Sequence, residues 1–194
     1  MPTHKLQDVI ELTFPVTLVA GTPVAPVAIE QQVLALFDEC APGVRRYVAS
    51  FNLGAAATDD VVQDVFLALF RHLSLGRPTT NLKAWLFQVA HNLSLKQRQR
   101  IVKRGLLEGA WDAISAEQVL DDELNPEERL AERHRQRHLV DVLRLMPERD
   151  QRCIFLRAEG LCYRDIAKTL GVSLGSVAKS VVRAIGRLSA ADRG

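Results

Sequence analysis

The residues of this chain able to do chemistry are arranged as stripes of amides and cations along helices. Asn92, Lys96, Gln99, Arg100 and Lys103 follow at steps of four, three, one and three, which on a helix sets them along one line. Trp85 and Val89 continue that line upstream. Such a stripe can track a phosphate backbone, and an aromatic ring or amide beside it can hold an unstacked base. A second set, Ser176, Lys179, Ser180, Arg183 and Arg187, falls within about 100° on a helical wheel, with Leu174, Val177, Val181, Ile185 and Leu188 opposite. Small side chains at the start of that helix permit close approach to base edges, and its cations can reach phosphates or one or two bases. A third set, Asp60, Gln63 and Asp64, repels phosphate. It reads either as a solvated face or as a protein-docking face, and side-chain chemistry leaves both open. Trp85 likewise reads either as core or as a base platform.

Other chemistries find little support. No Ser/His/Asp cluster and no phosphate-binding glycine loop appears, so an enzyme is not expected. His134 and His138 stand four apart without a suitably spaced third ligand. Cys40, Cys153 and Cys162 are odd in number and lack zinc-ligand spacing, which fits reduced thiols in a cytoplasmic protein. Neither metal nor cofactor is therefore expected. Residues 12–29 carry no charge, but Pro15, Gly21, Pro23 and Pro26 interrupt them and Glu11 precedes them, so neither membrane insertion nor an export leader is expected.

The elements that must position these stripes are helices. An apolar content of 47% is enough for a core in each of two small domains. Apolar residues at three and four spacing over 27–54, broken at Pro42 and Gly43, predict two consecutive helices. Thr58 is the expected cap of a helix starting at Asp59, with Val62, Val65, Phe66, Leu69 and Phe70 on its apolar side. The stretch LKAWLFQVAHNLSLKQRQRIVKR predicts one long helix, apolar in its first half and basic in its second. A polar helix from about residue 127 precedes one starting at Pro147 and ending at Gly160. Then come a short helix from Tyr163, a turn at Gly171, and a helix capped by Ser173. Helix, tight turn and helix is the geometry that sets a second helix into a major groove.

Charge is segregated along the chain. Residues 65–107 hold eight Lys and Arg and no acid, whereas 108–132 hold nine acids against Arg129 alone. The expected architecture is all-α: an N-terminal extension over 1–26, a helical domain over 27–104, an acidic linker over 105–126, and a helix-turn-helix domain over 127–190.

Two stretches in this order, DDVVQDVFLALFRHL with NLKAWLFQVAHNLSLKQRQR and then LMPERDQRCIFLRAEGLCYRDIAKTLGVSLGSV, resemble the bacterial sigma-70 family. More narrowly they resemble its extracytoplasmic-function group, which has two domains, called region 2 and region 4. The resemblance implies promoter recognition, promoter opening and transcription initiation. It implies as partners core RNA polymerase, through the β′ clamp helices and the β flap, promoter DNA, and an anti-sigma factor. Asp60, Val62, Gln63, Asp64 and Phe66 match the segment that docks on the clamp helices. Trp85 and Asn92 match the segment that opens and reads the −10 element. Ser176, Lys179, Ser180 and Arg183 occupy the helix that reads the −35 element. The chain departs from the family at His91 and Lys96, where arginine and an acidic residue are frequent, and in the reading helix, where Ala178, Lys179 and Ser180 follow Gly175, Ser176 and Val177. A helix-turn-helix regulator, or a sigma-like polymerase-binding protein that does not initiate, is the alternative.

Overall fold

A computed structural model describes residues 26–104 and 125–193 of the chain. The expectations for the N-terminal extension and for nearly all of the acidic linker lie outside these residues. Everything described is helix, turn or irregular chain, with no strand among the described residues. The helices are α1 (Pro26–Ala49), α2 (Ala55–Ser74), α3 (Leu82–Lys103), α4 (Pro126–Arg144), α5 (Glu148–Ala158), α6 (Tyr163–Leu170) and α7 (Leu174–Ala191). They form two clusters, α1–α3 and α4–α7.

In the first cluster all three helices pack pairwise. Val44, Tyr47 and Val48 of α1, Val65 and Leu69 of α2, and Leu86, Phe87 and Val89 of α3 make its core. Tyr47 lies at the centre. Its ring meets Phe51 and Phe87 edge-on at 5.5 and 5.8 Å, and its hydroxyl is 2.8 Å from Nδ1 of His91. A buried phenol is stable only if its oxygen is hydrogen bonded. His91 meets that need.

Two expectations fail here, each for its own physical reason. The two helices expected over 27–54 are one continuous helix, with Pro42 inside it. Pro42 removes a single donor, but Cys40, Val44, Tyr47 and Val48 all face the same core. That burial outweighs the break. The second helix starts at Ala55 with Gly54 as its cap, so Thr58 lies inside it, buried, its hydroxyl without a hydrogen-bond partner among the described residues. Ala55, Ala56 and Ala57 are strong helix formers and extend the helix past the capping residue.

The second cluster follows the expected order. α7 packs on α5 and α4. Gln151 is buried in α5 and donates from Nε2 to the carbonyls of Arg144 and Met146, at 3.1 and 2.8 Å, so it satisfies acceptors at the end of α4. Gly171 ends α6 at φ 64°, a left-handed conformation that glycine adopts without strain. The Ser173 hydroxyl accepts from the Ser176 amide at 3.2 Å and starts α7.

Candidate polymerase and nucleic-acid surfaces

α2 brings the acidic set to one surface. Asp60 and Gln63 are exposed and Asp64 is half-buried. Burial holds the Asp64 carboxyl above the usual carboxylate range, the Asp60 charge adds to this, and Arg100 and Arg71 oppose it. Arg100 of α3 is therefore close enough to be felt by the acidic stripe. Leu67, exposed, continues the stripe one turn on. Its spacing of seven from Asp60 was the signal by which the sequence could have found it. Val62 is half-buried. Phe66 is not on this surface: it is buried, with its ring 4.8 Å from Phe37 of α1, and it supports α2 from within.

α3 is buried at its start and open at its end. Asn81 caps it in the left-handed region, its side chain accepting from the Ala84 amide at 3.4 Å. Asn92, Lys96 and Arg100 are half-buried, and Gln99 and Lys103 are exposed. Gln99 and Lys103, with Leu95, Arg98 and Val102, line a recess of about 270 Å³. Arg98 is a cation the sequence stripe omits. Trp85 is corrected to the interior. It is 7% exposed, its ring is 4.5 Å from that of His72, and Nε1 finds no partner among the described residues. Its place on the stripe reflects helical spacing alone, since the near end of the same line faces the core.

In α7 the buried face consists of Val177, Ser180, Val181 and Ala184. Leu174 and Ile185, expected in the core, are exposed. The helix is thus turned by roughly an eighth of a turn from the expected wheel. Ser180 is accordingly corrected from the reading face to the interior: it is 1% exposed, beside the Cys153 thiol but without a well-formed hydrogen bond to it. A serine is small enough to be packed where a larger polar side chain would not fit. Arg183 is exposed on one side, but its Nε lies 3.0 Å from an Asp150 oxygen, and Asp150 is 1% exposed. The N–H is not well aligned with that oxygen, so this is an ion pair in distance more than an ideal hydrogen bond. Lys179 and Arg187 are exposed, with no ion pair among the described residues, and Ser176 is half-buried. The two cations left open by α7 are thus Lys179 and Arg187.

Comparison with known proteins agrees with this organisation. Residues 36–104 match sigma-70 region 2 and residues 136–188 match sigma-70 region 4. The RNA polymerase sigma factor CnrH of Cupriavidus metallidurans is 32% identical over 145 residues, covering 73% of this chain and 76% of that protein. Two solved structures share the fold at 22% identity. The sigma factor RpoE in complex with the anti-sigma factor NepR from Bartonella quintana has a TM-score of 0.60, covering 84% of this chain and 94% of that one. CnrH in complex with the cytosolic domain of CnrY has a TM-score of 0.53, covering 83% and 87%. The chain belongs to the extracytoplasmic-function group of the sigma-70 family, an all-α initiation subunit and not an enzyme in its own right.

One expectation is corrected by these relatives. A plain cytoplasmic setting does not stand beside a relative, CnrH, that is solved in complex with the cytosolic domain of its partner CnrY. Among the described residues, no helix is long and apolar enough to cross a membrane.

Proposed function

We infer that this subunit initiates transcription by dividing its contacts among three helices. The α2 stripe of Asp60, Gln63 and Asp64, with Leu67 at its apolar end and Val62 at its edge, docks core RNA polymerase. The open end of α3, with Asn92, Lys96, Gln99, Arg100 and Lys103, meets promoter DNA at the −10 element. The exposed side of α7, with Ser176, Lys179 and Arg187, meets the −35 element. Phe66, Trp85 and Ser180 serve these surfaces from inside. The observation that carries the reading is the opposite charge of the exposed ends of α2 and α3 within one compact cluster, which suits a protein partner and a polyanion at the same time.

A helix offering two open cations binds duplex weakly. Tethering through polymerase raises the effective concentration of each reading domain and removes the need for tight autonomous binding. NepR and CnrY, the partners in the two related structures, support an anti-sigma partner for this chain as well.

The test is reconstitution of the full chain with core polymerase on genomic DNA, followed by mapping of transcript starts. Defined starts sharing upstream motifs are expected. Core binding without starts would instead favour a polymerase-binding regulator that does not initiate.

A further inference from the structure

α7 has one line of residues directly opposite its buried face. Gly175, Lys179, Val182 and Gly186 follow at steps of four, three and four, so they share one side of the helix, and all four are exposed. Val182 is 68% exposed while its neighbour Val181 is 1% exposed. A β-branched hydrocarbon standing that far into solvent adds nothing to the core beneath α7.

The two glycines on the line have no internal explanation either. A Cβ placed on Gly175 or Gly186 would meet no atom within 4 Å. Gly186, inside the helix, costs about 1 kcal/mol relative to alanine, and Gly175, in the first turn, costs less; neither has crowding in the protein to relieve. What they do provide is a flat approach at either end of the line, with Lys179 and Val182 standing between. Arg183 lies on the flank and is engaged by Asp150.

Hydrogen-bonding readout along this line therefore rests on Lys179, and the group beside it is apolar. On the base edges of a major groove, the apolar group that distinguishes one base is the C5 methyl of thymine. We propose that Val182 is a specificity-determining residue for promoter selection, packing on a thymine methyl in the upstream element while Gly175 and Gly186 let the helix approach. The inference rests on the reading of α7 as a promoter-reading helix.

The experiment uses holoenzyme assembled from the full chain and core polymerase on a promoter found by transcript mapping. Each thymine of the upstream element is replaced in turn by uracil, which removes the methyl and leaves the hydrogen-bonding edge unchanged. At one position uracil should weaken promoter binding by wild-type holoenzyme roughly fivefold, and Val182→Ala holoenzyme should bind the two promoters alike. Starts at defined promoters with no uracil-sensitive position, or with the same sensitivity in Val182→Ala, would overturn the Val182 assignment and leave the initiation reading standing. Absence of any defined start would overturn both.

Discussion

His72 shows how a single buried side chain can make a domain sensitive to pH. Its Nε2 is 2.9 Å from the Pro78 carbonyl, an acceptor, so Nε2 carries the proton and Nδ1 is bare. Nδ1 is buried and finds no partner among the described residues. Adding a second proton would create a buried charge with nothing to accept it. Burial accordingly pushes the His72 pKa below its ordinary value near 6.5; the bond to Pro78 opposes this and Arg77 adds to it. With the folded value depressed, the unfolded chain binds more protons as pH falls below 6.5, and stability present at neutral pH is lost toward acid. Asp64 acts in the opposite sense at lower pH, because a carboxyl raised by burial takes its proton more readily when folded. Urea unfolding followed through Trp85 fluorescence should show the α1–α3 cluster weakening from pH 7 to pH 5.5. His72→Gln, which keeps a donor for Pro78, should flatten that slope while leaving the Asp64 contribution in place. An unchanged slope would remove His72 as the cause. At this scale the sequence was least informative about Trp85 and Ser180. Each lies on a polar or mixed helical line, and spacing cannot tell which end of a line points inward. Phe66 is different: spacing puts it on the apolar side of α2, where it is buried.

Helices and their junctions were more legible, because glycines, capping serines and apolar spacing act locally. Gly171 and Ser173 mark the turn before α7, and the long α3 is read nearly to its ends. α1 was misread because Pro42 is a local signal, whereas the packing of Val44, Tyr47 and Val48 is a tertiary one. The wheel of α7 was misread because the difference between Ser180 and Ile185 is set by what α5 presents. Part of what α5 presents is Asp150, and this gives the Arg183 pair its role in seating one helix on another. Removing Arg183 leaves a buried carboxylate without its cation, whereas removing both charges leaves only a polar group of similar shape. Arg183 is partly in solvent, so the cost is discounted from that of a fully buried pair. Arg183→Ala should destabilise the α4–α7 cluster by about 1–3 kcal/mol in urea unfolding. Adding Asp150→Asn should recover part of that loss. Additive losses in the double variant would mean that the pair does not seat α7.

For the molecule as a whole, the acidic stripe of α2 and the cationic end of α3 are not electrically independent. Arg100 and Arg71 favour the ionised form of Asp64, and by reciprocity the Asp64 charge lowers the positive potential at Arg100. On the proposed division of contacts, a residue of the docking surface moderates the DNA affinity of the helix beside it. The sequence separates Asp64 from Arg100 by 36 positions and gives no hint of this, because it arises only when α2 and α3 pack. Asp64→Asn keeps the size and removes the charge. It should weaken association with core polymerase while modestly tightening the affinity of the free subunit for single-stranded promoter DNA at low salt. Raising the salt should erase the second effect, since partly exposed charges are screened within about 10 Å at 0.1 M. Fluorescence titration with labelled core polymerase and with a labelled non-template strand reads both in one set of variants. A loss of both affinities would point to damage to the fold, and melting of the variant would reveal it. Opposite responses on an intact fold are what two surfaces sharing one electrostatic field require.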